Sequence, residues 1–184
     1  MPRKPLYRSD FAPYHVTLRS NNRELFDLDL NQFWELLNTE CFVSHSKHGT
    51  EFHALVLMPN HIHILLTAPE ADLGKVMSCL AREMTKRSNK ISGKTGRIFG
   101  GPYHWSFIDS AQYYSHALKY VYRNPVKAGL CALVEDYPFS SLHGLMGNSK
   151  LDLPVFFTRA GMEQNISRSV VASHFDCGLI QFNS

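Results

Sequence analysis

Two histidines stand one residue apart in an otherwise apolar run, MPNHIHILL (Met58–Leu66). Side chains alternate between the two faces of a strand, so His61 and His63 would share a face with Leu65. Two imidazoles on one strand face can converge on a single cation, whereas metal-binding histidines on helices are normally four residues apart. A buried histidine without a metal needs a polar partner of its own. The spacing therefore predicts a metal-binding pair.

A tyrosine and a carboxamide form a second candidate group in YVYRNPVKAG (Tyr120–Gly129). Tyr120 and Asn124 are four residues apart and would lie on one face of a helix. Both residues also have ordinary structural roles. Tyr120 could pack the helix onto a sheet, which is the commoner role for a helical tyrosine taken alone. Asn124, which precedes Pro125, could be the N-cap of a short following helix.

The two groups together indicate phosphoryl-transfer chemistry. A tyrosine hydroxyl has an ordinary pKa of about 10 and is a weak nucleophile unless its target is activated. A divalent ion held by two histidines can polarise a phosphodiester and orient it for in-line attack. Tyr120 is therefore the predicted nucleophile. Three neighbouring tyrosines are alternatives: Tyr113, Tyr114 and Tyr122.

The elements that would carry these residues alternate in the order β-α-β-β-α-β. Hydrophobic patterns predict strands over 14–19, 52–58, 61–67 and 103–109, and helices over 29–45 and 71–90. A further helix begins after Ser110, a predicted N-cap like Asp29, and ends near Pro125. This order predicts an α+β fold with a ferredoxin-like split β-α-β-β-α-β sheet, helices on one face, and a tyrosine-bearing C-terminal helix.

Composition sets broad limits on the class of protein. The chain has 184 residues, 44% of them hydrophobic, and a formal net charge of +3. We expect one catalytic domain over 1–148 and a C-terminal extension of unknown role over 149–184. The four cysteines form no CxxC pair and are expected to be reduced thiols: Cys41, Cys79, Cys131 and Cys177. No apolar run is long enough to cross a membrane, and we expect a cytoplasmic protein.

Basic residues, taken as a set near one site, are candidates for contacts with the phosphates of a polyanionic partner. Each of them alone is more commonly a solvated surface charge. The candidates are Arg19, Arg23, Lys86, Arg87, Lys90, Lys94, Arg97, Arg123 and Lys127. Tyr103 and Trp105 could stack on unpaired bases or pack in the core.

Four stretches in this order carry a family resemblance: YHVTLRSNNRELF, MPNHIHILL, KYVYRNPVKAGL and DYPFSSL. Together they resemble the HUH single-tyrosine transposases, in the branch called REP-associated tyrosine transposases. The resemblance extends over 14–142. It implies a metal-dependent endonuclease and strand transferase of a mobile element, which cuts and rejoins single-stranded DNA near hairpins.

The resemblance also implies roles for individual residues. His61 and His63 would bind Mg²⁺ or Mn²⁺, with Asn124 as a third ligand. Tyr120 would form a 5′-phosphotyrosine and release a 3′-OH, without ATP or an organic cofactor. The expected partner is hairpin-bearing single-stranded DNA, and the expected assembly is a monomer or homodimer. Two alternatives stay open: a regulatory protein that binds DNA or RNA hairpins without cutting, and a metal-dependent hydrolase with a structural tyrosine.

Overall fold

The computed structural model of the chain describes residues 8–69, 72–149, 151–159 and 162–165. Its elements are β1 (Tyr14–Arg19), α1 (Leu30–His48), β2 (Glu51–Met58), β3 (His61–Thr67), α2 (Leu73–Ser92), β4 (His104–Phe107), α3 (Ala111–Lys127), α4 (Ser141–Leu145), β5 (Phe156–Arg159) and β6 (Met162–Asn165). The order from β1 to β4 confirms the predicted split β-α-β-β-α-β arrangement.

The first four strands form one antiparallel sheet in the order β2-β3-β1-β4. β2 and β3 are joined by a two-residue turn at Pro59 and Asn60, as the sequence predicts for a hairpin. β1 and β3 are central and pair along their whole length, from Tyr14 opposite Leu66 to Arg19 opposite His61. The register fixes which side chains of the two strands become neighbours.

The sheet is covered by helices on both faces. α1 and α2 bury one face, where apolar side chains such as Val16, Ile64 and Leu37 are fully excluded from water. Full burial of one such side chain contributes roughly 1.5–3 kcal/mol. α3 covers the opposite face, together with α4, through a second cluster that includes Leu65 and Val121. We call this second surface the α3 face.

The predicted helix starts are confirmed by side-chain hydrogen bonds. The Asp29 carboxylate accepts from the backbone N–H groups of the first turn of α1, and the Ser110 hydroxyl accepts from the N–H of Tyr113 in α3. The predicted end of α3 is also close to the observed one. The helix continues through Pro125 for two more residues and ends at Lys127.

Residues after the predicted domain boundary pack against the sheet. Leu153 is buried in the core below α1 and α2, and Val155 forms a parallel bridge with Phe52 of β2. β5 and β6 form a separate antiparallel pair. Most of the predicted extension, residues 166–184, lies outside the described residues, and the division at residue 148 stays a prediction.

Two composition-based expectations can be compared with the described residues. Cys41, Cys79 and Cys131 are free thiols there, and Cys177 lies outside the described ranges. Within those ranges, every helix is too short or too polar to cross a lipid bilayer.

Candidate active site

The two central strands bring five polar side chains to the α3 face. On β3, His61 and His63 alternate with isoleucines that point into the α1/α2 core. On β1, His15, Thr17 and Arg19 alternate with buried apolar residues in the same way. In the register of the sheet, Thr17 lies opposite His63 and Arg19 lies opposite His61. The predicted histidine pair is therefore on one strand face, as period two requires.

α3 crosses this face and brings a tyrosine to the histidines. Tyr120 lies on α3 and is 45% exposed. The centroid of its ring is 5.8 Å from that of His63 and 5.6 Å from that of His15, in both cases edge to face. His61 and His63 are themselves 4.9 Å apart between ring centroids. Tyr120 and the histidine pair thus come together within one chain.

Each of the paired histidines uses its Nδ1 atom in hydrogen bonding. Nδ1 of His63 lies 3.0 Å from Nε2 of His15 and 3.3 Å from the hydroxyl of Thr17. Nδ1 of His61 lies 2.7 Å from Oδ1 of Asn60. Nε2 of His63 is buried and has no hydrogen-bond partner among the described residues. Buried polar atoms normally have a partner, and a bound ion is one group that can satisfy such an atom.

The histidines are held in their neutral form. Burial and, to a lesser extent, the nearby charge of Arg19 together lower the pKa of His61 to about 4. Burial, the neighbouring His15 and His61, and Arg19 lower the pKa of His63 to about 3. Burial also lowers the pKa of His15. Neutral imidazole is the form that binds metal ions, so the site is ready for a cation at neutral pH.

These residues fit a divalent ion held by two imidazoles. The unpartnered Nε2 of His63 supplies one nitrogen, and the Nδ1 bond of His61 leaves Nε2 for the second. The described residues contain no group of three or more His, Cys, Asp and Glu side chains arranged around a metal. The remaining ligands would therefore be oxygens other than side-chain carboxylates, from an amide, water or a substrate phosphate, which suits Mg²⁺ or Mn²⁺.

Asn124, the predicted third ligand, lies inside α3, one turn after Tyr120. The alternative in which Asn124 caps a following helix is wrong, because the helix runs on through Pro125. Proline has no N–H for the carbonyl four residues earlier. The Asn124 amide instead donates to the carbonyls of Tyr120 and Val121, at 2.7 and 3.5 Å. Its Oδ1 is the atom that remains for a ligand, and the ligand role stays a prediction.

The alternative tyrosines have different surroundings. Tyr114 is buried, and its hydroxyl is 3.2 Å from Nδ1 of His53. Tyr122 is fully buried against Ser141, and burial raises the pKa of its hydroxyl. Tyr113 is 39% exposed, near the start of α3. The ring of Tyr120, by contrast, contacts the rings of His63 and His15.

The predicted DNA-binding cations lie on both faces of the sheet. Arg123 and Lys127 are on α3, and the Lys127 ammonium lies 5.2 Å from the centre of the Tyr120 ring. The cations of α2 cover the opposite face: Lys86, Arg87 and Lys90. The set therefore does not surround one site.

Several of these cations have other partners or neighbours. Arg87 pairs with the buried Glu40 of α1 at 2.9 Å, and Lys94 pairs with Asp27. Lys86 and Arg97 line one groove together with Tyr103. Tyr103 and Trp105 pack against the core below α1 and α2, which favours the packing alternative for both.

Sequence reasoning missed three residues that contact the paired histidines, one of them Thr17, whose hydroxyl lies 3.3 Å from Nδ1 of His63. His15 contacts His63 from the neighbouring strand, and Asn60 contacts His61 from the hairpin turn. His15, Thr17 and Arg19 alternate with apolar residues in YHVTLR, which is the same period-two signal as in the histidine pair. The sequence does not show the strand register, which places these residues of β1 beside His63 on β3.

Comparison with known proteins identifies similar chains. None of the models of established protein families matches the sequence. The REP-associated tyrosine transposase of Escherichia coli K12 is 35% identical over 131 residues, which cover 71% of this chain and 74% of that protein. A putative REP-associated tyrosine transposase of Haemophilus influenzae is 23% identical over 158 residues, covering 74% of this chain and 85% of that protein.

A solved structure is similar over almost the whole fold. It is a REP-associated tyrosine transposase bound to a REP hairpin, with a TM-score of 0.66 and 25% sequence identity. The alignment covers 91% of this chain and 99% of the solved one. The two chains therefore share most of their fold.

Proposed function

Since the chain belongs to the REP-associated tyrosine transposases, it is a transposase, and we propose that it cuts and rejoins single-stranded DNA beside a hairpin through Tyr120. The observation that carries this proposal is the contact between the rings of Tyr120 and His63, whose centroids are 5.8 Å apart. A nucleophile next to neutral imidazoles with a nitrogen available for a cation is what metal-assisted phosphoryl transfer requires.

The proposed reaction exchanges one phosphodiester bond for another. The Tyr120 oxygen bonds to the scissile phosphorus and gives up its proton to solvent. The bond from phosphorus to the 3′ oxygen breaks, and that oxygen takes up a proton to become a 3′-OH. The 5′ end stays on Tyr120 as a phosphotyrosine, so a 3′-OH can reverse the step without ATP.

His61 and His63 are the proposed ligands for Mg²⁺ or Mn²⁺, with Asn124 as the proposed third ligand. When bound, the ion supplies Lewis-acid stabilisation of the charge that develops on the phosphate. His15 and Thr17 hold the ring of His63 through Nδ1 and so aim its Nε2 atom away from β1. Because Tyr120 is partly exposed, a DNA strand can reach it from the solvent.

A DNA hairpin is the proposed partner. The similar solved transposase is bound to a REP hairpin, and the same type of ligand fits a chain with exposed cations near its candidate nucleophile. Arg19 at the end of β1 and Arg123 and Lys127 on α3 are the proposed phosphate contacts nearest Tyr120. Their contribution to affinity should weaken as salt rises, because phosphate binding releases counterions.

Covalent trapping tests the proposal. We would incubate the full-length protein with labelled hairpin-bearing single strands and Mn²⁺, then separate denatured protein from free DNA. The wild type is expected to carry labelled DNA, and Tyr120→Phe is expected to carry none. Tyr113→Phe, which removes an exposed hydroxyl from the start of the same helix, is the matched control and should keep the adduct.

Other outcomes point to other functions. An adduct that persists in Tyr120→Phe means that another tyrosine is the nucleophile. Cleavage without any adduct means a metal-dependent hydrolase. Tight hairpin binding without cleavage, in protein loaded with either metal, means a regulatory hairpin-binding protein.

A further inference from the structure

Asn60 forms a hydrogen-bond chain between a loop and His61. The Asn60 Nδ2 atom donates to the carbonyl oxygen of Arg23 at 2.9 Å, and Oδ1 of Asn60 lies 2.7 Å from Nδ1 of His61. A carbonyl oxygen can only accept, so the amide nitrogen must face Arg23. The amide oxygen then faces His61 and can only accept a hydrogen bond from it. The chain therefore requires the hydrogen of His61 to be on Nδ1.

The consequence for His61 follows from the chemistry of a neutral imidazole. It carries one N–H, so a hydrogen on Nδ1 leaves a lone pair on Nε2. The preceding turn thus selects the tautomer that can bind a cation through Nε2. Without the Arg23 carbonyl, the Asn60 amide could rotate by half a turn and present its N–H₂ group, which would favour the opposite tautomer.

The loop that supplies this carbonyl is firmly attached to the hairpin turn. Ser20 donates its N–H to the carbonyl of Asn60 at 2.9 Å, and Phe26 donates to the carbonyl of Pro59 at 3.0 Å. On its other side, the N–H of Asn21 donates to the carbonyl of Ile98 at 2.9 Å. The loop is therefore fixed between two neighbouring segments.

The backbone of this loop has an unusual conformation. Asn22 and Arg23 have φ angles of 52° and 62°, in the left-handed region that residues other than glycine rarely adopt. Asparagine tolerates this region, whereas arginine has no such local compensation. Strain of this kind persists where surrounding contacts determine the backbone, and it clusters at functional sites. Here the conformation coincides with the carbonyl that orients Asn60.

We propose that Asn60 is a positioning residue, anchored by the Arg23 carbonyl, that holds His61 in the Nδ1–H tautomer and directs Nε2 to the metal. The metal part rests on the proposed function above. Arg23 would then have a role through its backbone that is separate from any role of its side chain. Its carbonyl oxygen orients Asn60, and this does not depend on what the side chain contacts. Groups of this kind typically change metal affinity by about 10- to 100-fold.

The first measurement needs no variant and no metal. ¹⁵N NMR of the imidazoles in the full-length, metal-free protein at neutral pH reports which nitrogen of each ring carries the proton. We expect His61 to be protonated on Nδ1. A predominant Nε2–H form of His61 overturns the proposal, whatever the protein does with metals.

The second measurement is Mn²⁺ affinity by calorimetry. Asn60→Leu, which has a similar size and no polar atoms, should weaken binding by about 10- to 100-fold and shift His61 toward the Nε2–H form. Asn60→Asp keeps an acceptor for Nδ1 and should retain both the tautomer and an affinity within about tenfold of wild type. An unchanged tautomer and affinity in Asn60→Leu overturns the proposal.

Asn89→Leu is the matched control. Nδ2 of Asn89 also donates to a loop carbonyl, that of Gly96 at 2.8 Å, but on α2, across the sheet from the histidines. It should bind Mn²⁺ like the wild type. Loss of affinity equal to that of Asn60→Leu would mean that both changes act through general stability.

Two further variants separate this proposal from the proposed function. Arg23→Gly keeps the carbonyl and the left-handed backbone without the side chain, so it should keep the His61 tautomer even if DNA binding weakens. His61→Ala should abolish Mn²⁺ binding. If it binds Mn²⁺ like the wild type, the metal site of the proposed function is wrong, while the NMR result still decides whether Asn60 controls the tautomer.

Discussion

His15 and Thr17 both contact Nδ1 of His63. Because the two distances to this atom differ, we expect the loss of each side chain to weaken metal binding to a different extent. The His15 contact is the shorter, at 3.0 Å against 3.3 Å for Thr17. We expect His15→Ala to weaken Mn²⁺ binding by about tenfold, and Thr17→Val by less than about threefold. Calorimetric titration of the full-length variants measures both values.

A second histidine substitution tests whether the loss of any imidazole, wherever it lies, weakens Mn²⁺ binding. His48 lies at the end of α1, across the sheet from the candidate site. His48→Ala should bind Mn²⁺ with the affinity of the wild type. Equal affinities for His15→Ala and the wild type would show that the His15 contact does not support His63.

Lys127 is the cation nearest the ring of the candidate nucleophile. Its ammonium lies 5.2 Å from the centre of the Tyr120 ring, close enough to stabilise negative charge on the phenol oxygen or on an incoming phosphate. Lys127→Ala should slow adduct formation by about 3- to 10-fold at saturating DNA, and Lys127→Arg should restore most of the rate. Single-turnover trapping measures the rate separately from DNA affinity. Equal rates for all three proteins would assign Lys127 no part in the step.

Between elements, the interface of α1 and α2 contains a partly buried ion pair. Glu40 is 4% exposed, and the guanidinium of Arg87 lies 2.9 Å from its carboxylate. Burial raises the pKa of Glu40 above its ordinary value, although the positive charge of Arg87 opposes this shift. Arg87→Met removes the partner of a buried carboxylate and should lower the free energy of unfolding by roughly 2 kcal/mol at neutral pH. Urea unfolding measures this change.

The same substitution separates a structural role of Arg87 from DNA binding. Adding Glu40→Leu to Arg87→Met removes the unpaired carboxylate and should restore most of the lost stability. Lys86→Met, one residue away on the exposed side of α2, is the control and should leave stability within about 0.5 kcal/mol of wild type. Should Arg87→Met weaken hairpin binding without loss of stability, the predicted DNA contact is the main role of Arg87.

At the level of single elements, local signals in the sequence predicted β1 to β4 and α1 to α3, whereas α4, β5 and β6 were not predicted. The alternation in YHVTLR and HIHILLT predicts β1 and β3 with their observed bounds, and Asp29 and Ser110 predict the starts of α1 and α3. Contacts between elements needed more than local signals. The His15 contact depends on strand register, and the Asn60 chain depends on a loop far away in sequence. Asn124 was ambiguous because the tolerance of α3 for Pro125 depends on packing against the sheet.

Across the whole molecule, one buried histidine connects the sheet to α3. Nε2 of His53 on β2 lies 2.8 Å from the hydroxyl of Thr67 on β3, and Nδ1 lies 3.2 Å from the hydroxyl of Tyr114 on α3. Tyr122, eight residues later on α3, forms a hydrogen bond of 3.0 Å between its hydroxyl and that of Ser141 on α4. These polar contacts fix α3 along the sheet, and with it the approach of Tyr120 to the histidines.

The burial of His53 predicts how global stability depends on pH. Burial lowers the pKa of His53 to about 4, against about 6.5 in an unfolded chain. Between these two values the unfolded state binds more protons than the folded state, so acid favours unfolding. The contribution of His53 is fully present above about pH 6.5, falls as the pH drops, and has lost about 2 kcal/mol at pH 5.

Comparison with a variant isolates this contribution from that of the other histidines. His15, His61 and His63 also have lowered pKa values, so they reduce stability in acid in both proteins and cancel in the difference. His53→Asn keeps a polar group but does not titrate. At about pH 7.5 this variant should be less stable than the wild type. Between about pH 7.5 and pH 5 its free energy of unfolding should fall by about 2 kcal/mol less than that of the wild type, as measured by urea unfolding. Parallel pH profiles for the two proteins would mean that His53 has the same pKa in the folded and unfolded states. In that case His53 does not connect α3 to the sheet as a neutral imidazole.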